Sequence, residues 1–217
     1  MKPLIVLGGG GHAKVAIEVL HLLGHDVIGF TDPHPHNRQC GYPCLGDDQV
    51  VNDYHPEGIL LVNGLGSVGD NSRRKSLFSF WKEKGYTFAT IIHPSAILSP
   101  DAILEEGVQV MAGAVVQAGA RIGANTILNT RATIDHDTTI GRHVHIAPGS
   151  VLSGNVTLED DVHIGTGAVV IQGLTVGKNS IVGAGAVVVN NVPRNATVIG
   201  VPARMKETKQ PERCDER

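Results

Sequence analysis

The chain has 217 residues, enough to bury a sizeable core in one domain or two, and its net charge of −3 gives no bulk attraction to nucleic acid or an anionic membrane. Aromatic residues make up only 4% while Gly numbers 27, which suits narrow, repetitive β architecture better than an ordinary globule. The apolar run in MKPLIVLGG is too short for the core of a signal peptide, and no later stretch could span a bilayer, so the expectation is a cytoplasmic protein without membrane insertion. Cys40, Cys44 and Cys214 lack a second Cys or His pair at zinc-finger spacing, so reduced thiols and no metal are expected.

KPLIVLG is a buried-strand run that ends in GGGGHA. Ala13 to Leu23 has the spacing of an amphipathic helix, with Val15, Val19, Leu20, Leu22 and Leu23 as its apolar candidates and Gly24 as its stop. DVIGFTD and GILLVNG read as further strands, and SRRKSLFSFWKEKG as a helix before YTFATII. Strands alternating with helices predict a small parallel α/β sheet over residues 1–90. Gly8-x-Gly10-x-x-Ala13 falls between strand and helix as a Rossmann turn does, with Asp32 after the next strand as the acidic partner. Glycines there let the backbone approach an anion resting on the helix N-terminus. A segment of about 90 residues is only half of a dinucleotide fold, so one nucleotide or nucleotide sugar suits the loop better than NAD. His12 and Arg74 are candidates to donate to phosphate or sugar oxygens. The bland alternatives are a tight turn without a ligand, and a His and an Arg facing water.

From residue 92 to residue 188 the rhythm changes. Ile92, Leu98, Leu104, Val110, Val116, Ile122, Leu128, Ile134, Ile140, Ile146, Leu152, Leu158, Ile164, Val170, Val176, Val182 and Val188 place an aliphatic at every sixth position without exception. Chance would produce that series roughly once in 10¹⁰ trials if a quarter of residues were Leu, Ile or Val. Two positions earlier sits a small or β-branched residue, as at Ala114, Ala120, Thr126, Ala132 and Thr138. Glycine often follows the aliphatic, at Gly123, Gly141, Gly165, Gly177 and Gly183, where a corner with positive φ is expected. A six-residue period is neither helical nor that of a hairpin. It predicts a parallel β-helix over 91–204, three hexapeptides to a triangular coil, with residues 18 apart stacked and the aliphatics pointing down the axis. Residues 205–217, MKETKQPERCDER, carry no apolar periodicity and read as a solvated tail.

Within this rhythm, Asp135-His136-Asp137 stands out. With the axis filled by aliphatics, His136 must project outward or lie at a corner. A neighbouring carboxylate fixes its tautomer and raises its basicity, leaving the other nitrogen free to take a proton. Stacking by 18 places it beside Ala118, Gly154 and Gln172, which predicts an open groove and offers the Gly154 N–H as an oxyanion donor. His145 and His163 should stack on each other, lining a groove between subunits rather than binding metal, for want of a third ligand.

LGGGGHAKVAIEVL, IIHPSA, ILNTRATIDHD and VIGVPAR, from both halves and in order, resemble the left-handed β-helix sugar acyltransferases, including the bacillosamine- and perosamine-type N-acetyltransferases and the sialic acid O-acetyltransferase-like proteins. The resemblance covers residues 1 to about 205 and supplies the left hand of the helix. It implies a homotrimer with active sites between subunits, acetyl-CoA as co-substrate and an N-terminal domain that holds a nucleotide-linked amino sugar. The implied base is His136, with Asp137 at the acidic position beside it. Asn129 is implied near the reacting centre, and His145, Gly154, Thr166 and Ala184 along acetyl-CoA. Gly10, His12, Asp32 and Arg74 fall on the sugar-nucleotide side. The implied reaction acetylates the 4-amino group of a UDP- or GDP-linked 4-amino-4,6-dideoxy sugar for a bacterial surface glycan. Two rivals are O-acetylation of a sialic acid-type sugar and a non-catalytic trimeric binder of sugar nucleotides. A nucleotidyltransferase would need a far larger N-terminal domain.

Overall fold

The computed structural model describes residues 2–34 and 38–206, so the tail reading of 205–217 lies outside the described residues from 207 onward. The first half contains β1 (Leu4–Leu7), α1 (Gly11–Leu22), β2 (Val27–Thr31), β3 (Leu60–Asn63) and α2 (Ser72–Glu83). The strands form a parallel sheet in the order β2-β1-β3. β1 is buried along its whole length because each of its faces is covered. Leu4 and Val6 pack with Ala13, Ala16, Ile17 and Leu20 of α1, whereas Ile5 and Leu7 pack with Phe78, Trp81, Tyr86 and Phe88.

The apolar side of α1 differs from the expected one. Val19 and Leu20 are buried, but Val15, Leu22 and Leu23 are exposed, and Ala13, Ala16 and Ile17 complete the inner face. The close approach to β1 favours small side chains there over branched ones. YTFATII contributes a single bridge, Phe88 to Leu61, before its last residues, Ile91–Ile92, become the first rung of the second half.

That second half is a parallel β-helix of two-residue rungs paired at a register of 18, as in Val115 with Thr133 and Thr133 with Val151. Its three faces are three sheets. The first carries Ile91, Gln109, Ile127, His145, His163, Ile181 and Thr197; the second carries Ile97, Val115, Thr133, Val151, Val169 and Val187; the third carries Ile103, Arg121, Thr139, Thr157 and Thr175. All the six-spaced aliphatics lie in one axial cluster, with Ile92, Leu98 and Leu104 at its open end only partly buried. Where the position two before is polar, its hydroxyl caps the main chain: Thr126 donates to Gly141 O at 3.0 Å and Ser150 to Gly165 O at 2.9 Å. Each buried hydroxyl is therefore satisfied. After the last full coil, Arg204–Met205 returns antiparallel on Thr197–Ile199.

The corner glycines also depart from expectation. From Leu104 to Val182, positive φ falls three residues after each aliphatic, at Asn125, Arg131, Asp137, His143, Asn155, Asp161 and Asn179 as well as at several glycines. The glycines that directly follow the aliphatics serve another purpose. A Cβ at Gly123, Gly141 or Gly165 would sit 2.5–2.7 Å from main-chain atoms of the next coil, so these positions are closed by contact rather than by conformation.

The α/β half lies over the first face. Ile91 and Met111 enter the α1 core, Gln109 Nε2 donates to Asn63 O at 2.8 Å, and Lys75 and Lys82 pair with Asp161 and Glu106 at 2.8 Å. Among the described residues no helix is long and apolar enough to cross a membrane.

Candidate active site

Two constellations emerge, on different corners of the prism. The first is a cleft of about 590 Å³ between the glycine loop and the corner joining the first and second faces. Gly10, His12, Asn129, His145 and Thr166 all line it, so five of the expected site residues converge there. Gly10 begins α1 with nothing within 4 Å of where a Cβ would stand, which leaves the backbone approachable at the helix N-terminus. Asp32 sits behind the loop, in contact with the position a Gly9 side chain would fill, and accepts from His34 N at 2.8 Å.

Three imidazoles form the cleft's inner wall, and burial keeps them neutral. His12 Nε2 donates to Gln109 Oε1 at 2.6 Å, so that nitrogen is engaged by the β-helix rather than offered to a phosphate. Burial, followed by the Arg74 charge, lowers its pKa to about 4. His145 accepts at Nε2 from Asn129 Nδ2 at 3.1 Å, and its Nδ1 lies 3.0 Å from Ser67 O and 2.8 Å from Ser67 Oγ. Burial first, then the neighbouring His163, His12 and Arg74, lower it to about 3. His163 meets His145 edge-on, the ring centroids 5.1 Å apart. The two stack as expected and line the cleft beside the chain's own 64–68 loop. That loop, with Leu65, Ser67 and Val68 in the wall, and Gln109 were missed from sequence. The three glycines in GLGSVGD after the third strand are the signal for the loop, whereas Gln109 carries none.

Arg74 requires a correction. It neither faces water nor lines the cleft: its side chain is 2% exposed, and its donors reach the carbonyl oxygens of Asn63 (2.8 Å), Leu65 (2.7 Å) and Asn125 (3.3 Å). Burial pulls the guanidinium down to about 9. A phosphate bound at the loop therefore does not touch it.

The second constellation is at the corner between the second and third faces. His136 Nδ1 lies 2.9 Å from Asp137 Oδ2, while Asp135 Oδ1 accepts from the His136 backbone N–H at 2.8 Å. Asp137 thus orients the ring, and Asp135 braces the main chain. Asp137 can turn back to the ring because it occupies the left-handed corner position, φ 58°. The hydrogen bond that His136 donates to Asp137 comes first among the causes that raise the His136 pKa above 6.5, followed by the Asp135 charge. The ring is 61% exposed, with Nε2 on the side away from Asp137.

Glycines flank this pair. A Cβ on Gly154 would come within 2.5 Å of His136 Nε2, and one on Gly119 within 2.6 Å of Asp137 Oδ1. Gly154 is consequently buried beneath the imidazole, instead of opening a groove and exposing its N–H as the stacking suggested. Ala184 is exposed and lies one coil beyond Thr166, outside the cleft lining.

Residues 3–80 match the PglD N-terminal domain family and residues 119–154 the bacterial transferase hexapeptide family (six repeats). No curated protein matches the chain. Among solved structures, a histidine-to-asparagine variant of perosamine N-acetyltransferase from Caulobacter crescentus, in complex with CoA and GDP-perosamine, is 38% identical over 96% of this chain and 98% of that chain, with a TM-score of 0.89. The acetyltransferase domain of PglB from Neisseria gonorrhoeae FA1090 in complex with acetyl coenzyme A is 38% identical over 94% of this chain and 99% of that chain, TM-score 0.88. WeeI from Acinetobacter baumannii AYE is 25% identical over 94% and 100%, TM-score 0.77.

Proposed function

Because the chain belongs to the hexapeptide-repeat sugar N-acetyltransferase family that includes the perosamine enzyme, we propose that it transfers acetyl from acetyl-CoA to the amino group of a nucleotide-linked amino sugar, with His136 as general base. The observation that carries this reading is the His136–Asp137 pair, displayed on a scaffold that matches, along nearly its whole length, an enzyme captured with CoA and GDP-perosamine. The neutral sugar amine attacks the thioester carbonyl, and His136 Nε2 takes the proton released as the C–N bond forms. The C–S bond then breaks, and the CoA thiolate leaves, to be protonated to the thiol. Asp137 holds Nδ1 and stabilises the imidazolium. The finer assignment is a 4-amino-4,6-dideoxy sugar carried on UDP or GDP and destined for a surface glycan.

The geometry of one chain supports a shared-site assembly. The cleft opens at the corner between the first and second faces, whereas His136 stands across the second face at the next corner. The outward positions between them are almost all β-branched aliphatics: Ile97 (66% exposed), Val115, Val151 (36% exposed), Val169 and Val187. Turning this apolar face toward a threefold axis buries it. The same rotation sets the His136 corner of one copy against the cleft corner of the next. Our reading is accordingly a homotrimer with three shared sites, the α/β half holding the nucleotide sugar.

Thiol release from acetyl-CoA, followed across 4-amino-4,6-dideoxy sugars on each nucleotide, tests the reading. His136→Ala should lower kcat by about 10²–10⁴ with the assembly intact, the usual size of a general-base effect. Near wild-type turnover in that variant would refute the base.

A further inference from the structure

Arg74 is an anomaly in energetic terms. A guanidinium that is 2% exposed loses its hydration, yet among the described residues no carboxylate pairs with it, and its Nη2 is buried without a hydrogen-bond partner. Only carbonyl dipoles answer the charge. Burying an uncompensated ion costs several kcal/mol, and an apolar side chain of similar volume is often as stable or more so. Helix phase alone asks for no charge here: positions 74, 78 and 81 form the inner stripe of α2, and the other two are Phe78 and Trp81.

Its place explains what the charge does. Nη1 grips Asn63 O and Leu65 O, the exit of β3 into the loop that forms one wall of the cleft, and Leu65 itself lines that cleft. His12, beside the glycine loop, packs against this same loop at Gly66, with Gln109 bridging from its ring to the same Asn63 carbonyl that Arg74 holds. The buried cation is therefore linked to the His12 ring through the Asn63 carbonyl and the Gln109 amide, within the protein rather than across water. Across such a medium an unpaired charge acts on an anion several ångströms away far more strongly than a surface lysine would.

We propose that Arg74 is a positioning residue for the diphosphate of the nucleotide sugar, which completes an ion pair through the cleft wall without touching the guanidinium. The inference rests on the nucleotide-sugar reading of the cleft given above. Independent support is that, after burial, the Arg74 charge is the next cause keeping His12 neutral, so the field of this cation does reach the cleft lining. The arrangement selects for doubly charged ligands while leaving the glycine backbone as the contacting surface.

The test is charge selectivity, measured by calorimetric titration of GDP and UDP against guanosine and uridine, with inorganic pyrophosphate as the minimal probe. In the wild type, each diphosphate should bind more tightly than its nucleoside. Arg74→Met should reduce that ratio by about tenfold or more while nucleoside affinity changes little; Arg74→Lys, which keeps the charge but not the carbonyl grip, should hold the ratio within about threefold. Equal losses for nucleoside and diphosphate in both variants would mean a purely structural splint and would overturn the proposal. Should neither variant fold, the wild type decides: pyrophosphate at saturation should raise the His12 pKa, followed by ¹⁵N–¹H correlation of the imidazole. An unmoved His12, or no pyrophosphate binding, overturns the proposal equally. Acetyl transfer is scored separately. A reduced ratio without transfer to any amino sugar sinks the enzyme reading alone, and transfer with an unchanged ratio sinks this inference alone.

Discussion

Replacing Gly154 with Ala probes the proposed base without touching it. The Gly154 backbone lies outside the left-handed region, so alanine is unstrained there, and the three atoms nearest the new methyl all belong to the His136 ring: Nε2 at 2.5 Å, Cε1 at 2.6 Å and Cδ2 at 3.1 Å. To reach an ordinary contact of 3.4 Å the imidazole must retreat by about 0.9 Å. Because the ring is 61% exposed, it moves toward solvent and the axial core is undisturbed. Misplacing a reacting group by about 1 Å costs roughly 10²-fold in rate. Gly154→Ala should therefore lower kcat and kcat/KM together by about 10²-fold, the signature of an interaction made only in the transition state. Stability should fall by less than about 1 kcal/mol, because the exposed ring yields to the methyl rather than the main chain. Steady-state thiol release measures the first effect and urea unfolding the second. A variant of unchanged stability that turns over within about threefold of wild type would show that this ring, held in this place, does not take the proton.

Further expectations are as follows. Asp137→Asn removes the largest cause of the raised His136 pKa; since the base must be neutral to act, the acid limb of kcat/KM should move to lower pH, with Asp135 retaining part of the elevation. A pH profile of the two proteins checks this, and a limb that stays put or moves upward contradicts it. Gly165→Ala, unlike Gly154→Ala, presses a methyl to 2.5 Å from the Ala184 main-chain nitrogen, which cannot swing away, so stability should fall by about 1–3 kcal/mol. Denaturant unfolding of both variants should separate the two kinds of glycine. His12 and His145 take protons at about 6.5 when unfolded but at only about 4 and about 3 when folded, so stability should be complete above pH 6.5 and decline as pH falls from there toward 4. Calorimetry of wild type and His145→Gln checks the sign, the variant showing the shallower decline.

The axial rhythm was legible because every sixth side chain meets the same environment, and nothing but an aliphatic fits there. The corners were not, because a glycine reports equally on backbone conformation and on crowding. Only the neighbouring coil reveals that Gly165 is crowded while Asn155 and Asp161 take the left-handed turns. α1 was misjudged for a related reason. Val15 and Leu22 are as apolar as Val19 and Leu20, but the flat approach of β1 admits Ala13 and Ala16. Arg74 could have been placed: with Phe78 and Trp81 it follows the spacing of a buried helical stripe, a periodicity that outweighs the usual exposure of arginine.

The candidate site was readable as an Asp-His-Asp cluster, but the choice between carboxylates was not. It depends on the left-handed φ at Asp137, which turns that carboxylate back onto Nδ1 while Asp135 is drawn to the main chain. The separation of base and cleft has a physical origin as well. A prism whose rungs are two residues wide has flat faces and a filled axis, so it owns no concavity in which two substrates could be held together. Concavity has to come from something laid against it. The α/β half covers the first face and forms the cleft at its edge; in the proposed function a nucleotide's phosphates meet the helix N-terminus there, and the apolar second face takes another copy of the same wall. Aligning amine, thioester and imidazole within one excluded volume is worth much of the barrier to such a transfer. On the proposed trimer that alignment draws on both coverings, with the glycine loop of one chain and the histidine corner of the next each supplying part of the site.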